Sequence, residues 1–218
     1  YGQGAGIWNS GTITYGITNS IFSGNYITSV SSSVNNANYH LEGGAVYNIG
    51  TLPTISNTHF YGNYLDSMQG HAYGGAIYTT KALEITGSVK PTLDSVTVIS
   101  GKASDITSST NNYSSFIGNY VYARHTASAT YVYGGAIWSN ANLTISNTLF
   151  ANNSARFTQA AYGGAIYSIG GTLNLKDSVF VGNASMGSLG DGRGGAIFAG
   201  GTIGTITGNI FTGNYISF

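Results

Sequence analysis

Two short motifs alternate along this chain, and their spacing constrains its fold more than any other feature. The first is Phe-x-Gly/Asn-Asn, beginning at Phe22, Phe60, Phe116, Phe150, Phe180 and Phe211. The second is Gly-Gly-Ala-Ile/Val followed by an aromatic residue, beginning at Gly43, Gly74, Gly134, Gly163 and Gly194. A degenerate copy, Gly4-Ala-Gly-Ile-Trp8, opens the chain. Successive glycine motifs lie 39, 31, 60, 29 and 31 residues apart. The interval of 60, residues 74–133, reads either as two units with a worn copy at Gly101-Lys-Ala-Ser104 or as one unit with an insertion. Between the motifs runs a third piece, as in Ile55-Ser-Asn-Thr-His-Phe60, Ile145-Ser-Asn-Thr-Leu-Phe150 and Leu175-Lys-Asp-Ser-Val-Phe180.

Self-similarity at a fixed period marks a repeat architecture, in which each unit buries its apolar face only by stacking on the next. The apolar pieces alternate with period two and are rich in β-branched and aromatic residues, so they read as strands. No segment sustains a 3.6-residue apolar period. Three short strands in about 30 residues make one turn of a solenoid, whereas a propeller blade needs four strands in about 40–50. The expected fold is all-β: a right-handed parallel β-helix, three-sided, with about seven coils of about 30 residues, forming one domain over 1–218.

Parallel stacking places each residue above its equivalent in the next coil. Val46, Ile77, Ile137, Ile166 and Ile197 then form an aliphatic ladder inside. Phe22, Phe60, Phe116, Phe150, Phe180 and Phe211 form an aromatic ladder on another wall. Asn25, Asn63, Asn119, Asn153, Asn183 and Asn214 stack at a corner, where their amides can bond between coils. Charged residues are only 6% of the chain, as expected when like charges would stand above one another at strand spacing.

Alternating copies of Gly-Gly-Ala-Ile/Val and Phe-x-x-Asn resemble the chlamydial polymorphic membrane proteins, over almost the whole length. The resemblance implies an autotransporter: a signal peptide, a β-helical passenger acting as an adhesin, and a C-terminal barrel in the outer membrane. This chain would be part of the passenger, outside the cell and anchored at the outer membrane through the full-length protein. Tyr1 is no initiator and Phe218 follows closely on a motif, so a segment of a longer protein is expected.

Seven basic and seven acidic residues give zero formal charge, which argues against nucleic acid, whose affinity comes largely from Lys and Arg on phosphates. No apolar run is long enough for a transmembrane helix. The absence of cysteine excludes disulfides and cysteine zinc sites. The seven acids are dispersed and the four histidines lack metal-ligand spacing, so no catalytic residue, cofactor or metal is expected.

Binding is the better reading. The segments 26–42, 64–73, 120–133, 154–162 and 184–193 vary most and leave each coil at the same corner, as binding loops of repeat proteins do. In 120–133, Tyr120, Tyr122, Arg124, His125, Tyr131 and Tyr133 are candidate ligand contacts, since tyrosine offers a large amphipathic surface at low entropy cost. Trp8, Tyr47, Tyr78, Trp138 and Tyr167, with Phe198, close the glycine motifs. If Ile/Val points inward, these form an exposed aromatic stripe; in the opposite register they are core. The expected function is a surface adhesin segment binding a host or neighbouring-cell receptor or glycan. The alternatives are a self-associating fibre or coat subunit, or a β-helical polysaccharide-processing module.

Overall fold

A computed structural model describes residues 1–29, 40–68, 70–93, 112–124, 131–157, 159–187 and 191–218. The described residues contain no helix. Among the described residues, thirty short strands form five sheets of six strands, and every pairing between named strands is parallel. The chain is therefore a parallel β-helix of six coils, each contributing one strand to each sheet. In the second coil the strands are, in order, His40–Glu42, Val46–Asn48, Thr54–Ser56, His59–Tyr61 and Tyr64–Ser67. Their sheets are called first to fifth below. Six rungs at about 4.8 Å span about 24 Å.

Two expectations are corrected. Each coil has five strands, not three, because turn residues break the apolar pieces. Asn57, Asn147 and Asp177 take positive φ (45°, 47° and 49°) and divide the third sheet from the fourth. A second corrected feature is the coil count, six rather than about seven. Ile77 pairs directly with Ile137, and Phe116 pairs with both Phe60 and Phe150. The interval of 60 is one coil with an insertion between Leu83–Thr86 and Ser114–Ile117. The worn copy at 101–104 lies outside the described residues.

The interior has two lobes. The larger holds Val46, Ile77, Ile137 and Ile166 with the Phe60, Phe116, Phe150 and Phe180 ladder. The phenylalanine rings stack at 4.7–4.9 Å within 6° of parallel, from Phe22 to Phe211. The smaller lobe, behind the first and fifth sheets, holds Leu41, Leu65, Val121, Val132 and Phe157. The glycine motif forms the neck between the lobes. Its first glycine turns the corner at φ between 63° and 70° from Gly43 to Gly194. Its second has no room for a side chain: a Cβ on Gly135 would meet the backbone of Ser154 at 2.6 Å.

The asparagine ladder explains the other motif. Asn63 Nδ2 donates to Asn119 Oδ1 (2.9 Å) and to the Phe22 carbonyl (2.9 Å), while the Asn63 N–H also donates to Asn119 Oδ1 (3.0 Å). The pattern repeats at Asn119, Asn153 and Asn183. A buried amide satisfied this way stabilises the stack; unsatisfied, it would cost about 1–3 kcal/mol per group. The residue before it needs left-handed backbone, with Gly118 at φ 60° and Asn152 at φ 54° in the same role. A Cβ on Gly118 would meet nothing within 4 Å, so conformation alone selects the residue. Gly118→Asn should therefore melt close to the parent, whereas β-branched Gly118→Val should lower stability by about 1–2 kcal/mol in thermal denaturation.

Candidate functional site

The outward positions of the first and second sheets build one continuous aromatic corner. Along the second sheet, Trp8, Tyr47, Tyr78, Trp138, Tyr167 and Phe198 occupy equivalent rungs. The adjacent Val46, Ile77, Ile137 and Ile166 are fully buried, so strand alternation turns the aromatic column away from the aliphatic core. Along the first sheet, Tyr73, Tyr133 and Tyr162 are in register, and His40 pairs with His71. The positive-φ glycine folds the two columns towards each other. Tyr73 lies edge-on to Trp138 at 5.6 Å, and Tyr133 packs against Tyr167 at 4.7 Å.

The column is not the exposed stripe that alternation alone suggests. Trp8 is 53% exposed, but Tyr47, Trp138 and Tyr167 are only 7–8% exposed. Ring faces are covered by the coils above and below, as between Tyr78 and Trp138 at 4.3 Å, and the flank is covered by the first-sheet tyrosines. Ring rims are what the corner offers to solvent. Burial, followed by the Glu42 charge, pushes the Tyr73 phenol up to about 12, and the same causes in the same order raise Tyr78 further. Burial likewise raises Tyr133. These hydroxyls stay protonated donors throughout the physiological range.

Polar groups close the end of the corner. Glu42, 7% exposed, accepts from Gln3 Nε2 at 2.7 Å and faces His40 Nδ1 at 3.8 Å. His71 stacks on Tyr131 at 5.7 Å, and its Nδ1 accepts the Tyr131 N–H at 3.1 Å. Burial, then the neighbouring His40, lowers the His71 pKa; burial alone lowers that of His59, whose Nδ1 lies 2.7 Å from Ser115 Oγ. A histidine whose folded pKa is depressed binds fewer protons folded than unfolded. Its contribution is complete above about 6.5 and is lost as pH falls towards the folded value. The melting temperature should fall between pH 6.5 and 5, and fall less in His59→Gln.

The segment 120–133 does not act as one loop. Tyr120–Ala123 is a strand of the fifth sheet and Tyr131–Tyr133 a strand of the first. Tyr131 and Tyr133 join the aromatic corner, whereas Tyr120 stacks on Tyr64 at 4.7 Å on the outside of the fifth sheet. Arg124 is engaged by Asp66, with Nε to Oδ1 at 2.8 Å and Nη2 to Oδ2 closing the fork. Tyr122 is flanked by Arg124 and Arg156, each guanidinium 5.4 Å from its ring centre. His125 lies outside the described residues. Sequence reasoning missed Tyr73, Tyr162 and Arg156. The signal for the first two was present: Tyr73, Tyr133 and Tyr162 each stand immediately before a Gly-Gly pair.

One of the repeats that build these ladders is matched by a family model. Residues 147–169 match the Chlamydia polymorphic membrane protein repeat. The matched repeat contains both Phe150-Ala-Asn-Asn153 and Gly163-Gly-Ala-Ile166, and so covers one copy of each motif. Other copies of the repeat's motifs stack on it in register, with Phe116 and Phe180 on Phe150, and Ile137 and Ile197 on Ile166. Comparison with curated proteins and with solved structures finds no match.

Proposed function

We propose that this chain is a segment of a surface-displayed, autotransporter-like passenger that binds a cell-surface receptor without catalysing a reaction. The observation that carries the reading is the aromatic corner. Six rungs of outward aromatics form a layer on a rigid frame, where a core would need none. Tyrosine-rich rims held in place lose little entropy on binding, and repetition along the rod favours avidity. The repeat match at 147–169 supports placement at the bacterial outer membrane, attached through the rest of the parent protein. The described residues include no helix long and apolar enough to cross a membrane.

The test is adhesion of fragment-coated beads to epithelial cells. The control is the triple variant Tyr73→Phe, Tyr133→Phe, Tyr162→Phe, which keeps the ring stack and removes only hydroxyls. Adhesion should fall at least fivefold with the melting temperature nearly unchanged. Equal adhesion by both proteins, or beads that clump together and ignore cells, would overturn the reading.

A further inference from the structure

On the outer face of the fifth sheet, Asp66, Tyr122, Arg156, Met186 and Ser217 occupy successive rungs of one column. The lower part of this column is electrostatically closed, since Asp66 takes the Arg124 fork. The upper part is open. Arg156 is exposed, stacked on Tyr122, and has no carboxylate within ion-pairing distance among the described residues. It borders a cavity of about 340 Å³ whose other walls, among the described residues, are Tyr122, Phe157, Met186, Gly187, Ser217 and Phe218. That is near the lower end of the range for small-molecule sites, which combine apolar walls with a few polar groups.

We propose that this cavity is a binding site for an acidic sugar, with Arg156 holding its carboxylate. The proposal rests on reading the rod as a binding surface and names a ligand class for it. Three features select the class. A planar guanidinium lying over an aromatic ring presents its fork to a bidentate carboxylate. Arg156 is the one cation among the described residues that line the cavity, so the site suits one negative charge and not a polyanion. The Tyr122 and Ser217 side chains supply neutral hydroxyls for sugar hydroxyls, and Met186 with Phe218 supplies apolar surface for the ring's C–H face. An acidic peptide is the competing ligand, since Tyr215–Ser217 beside the cavity is paired on one side only, and the test below includes a peptide mimic.

Titration by NMR with free N-acetylneuraminate and with glucuronate tests this. Both should shift the Tyr122, Arg156 and Met186 amides and saturate in the millimolar range. Their methyl esters should bind at least tenfold more weakly. Arg156→Gln should lose tenfold or more at an unchanged melting temperature, while Lys176→Gln, on the third sheet, should bind as the parent does. Esters that bind like the acids, an Arg156→Gln protein that binds like the parent, or no shift at all would overturn the proposal. So would N-acetyl-glutamate N-methylamide binding as tightly as the sugars, which would make the ligand a peptide. Because this assay uses no cells, its failure is distinguishable from failure of the adhesion reading.

Discussion

Phe150→Asp should unfold the rod, and Phe150→Ala should lower its melting temperature by roughly 6–20 °C, from a loss of about 3–5 kcal/mol. Phe150 is fully buried and stacked between Phe116 at 4.9 Å and Phe180 at 4.7 Å. An aspartate there would place a carboxylate in a core cluster made only of hydrophobic residues. The charge would have to be neutralised or solvated, and either disrupts the rungs on both sides. Tyr122→Ala is the matched control, since Tyr122 is only half-buried on the outside and its loss should move the midpoint by no more than a few degrees. Circular dichroism melts of the three variants decide the matter. Equal midpoints for Phe150→Ala and Tyr122→Ala would contradict the ladder.

Asn153→Leu should be nearly as damaging, although it replaces a polar residue with an apolar one of similar size in a buried position. The Asn153 side chain accepts the Asn119 N–H at 3.1 Å and Asn119 Nδ2 at 3.0 Å. It donates to the Phe116 carbonyl and to Asn183 Oδ1, each at 2.9 Å. Leucine would leave the Asn119 N–H and one Asn119 amide proton without partners, and would take from the Phe116 carbonyl its side-chain donor. At about 1–3 kcal/mol for each of the two buried orphans, the loss is about 2–6 kcal/mol, a large share of a typical domain's stability. Urea denaturation should show a lower midpoint with a similar slope. A stability equal to or above that of the parent would mean that the amide ladder does not hold the coils together.

Much of this was legible from the two motifs. Phe-x-x-Asn alternating with Gly-Gly-Ala-Ile/Val implied stacked coils, an internal aliphatic ladder, an aromatic ladder and an amide corner. The number of strands per coil was not legible, because the breaks depend on φ at Asn57 and Asn147, and asparagine tolerates but does not demand left-handed backbone. The length of the coil containing 74–133 was ambiguous because residues stacked one rung apart, such as Tyr73 and Tyr133, are 60 apart in sequence. The covering of Tyr47, Trp138 and Tyr167 was hidden because alternation gives the direction of a side chain but not what the next sheet lays against it. Arg156 carried no motif; it matters only because the rung beside it is Tyr122 and not an acid.

The aromatic corner exists only if residues 60 apart are stacked neighbours, so the most direct measurement is of that register. Glu84 and Thr144 are paired rung partners, both exposed, in a chain with no cysteine of its own. The Glu84→Cys/Thr144→Cys protein should be joined rapidly and almost completely by a short bis-alkylating thiol reagent, since adjacent strands lie about 4.8 Å apart. Glu84→Cys/Asn174→Cys, one rung further at roughly 9–10 Å, should remain largely unlinked. Slow or absent linkage of 84 to 144, at a rate no greater than that of 84 to 174, would mean that another coil intervenes and that the corner is not built as described.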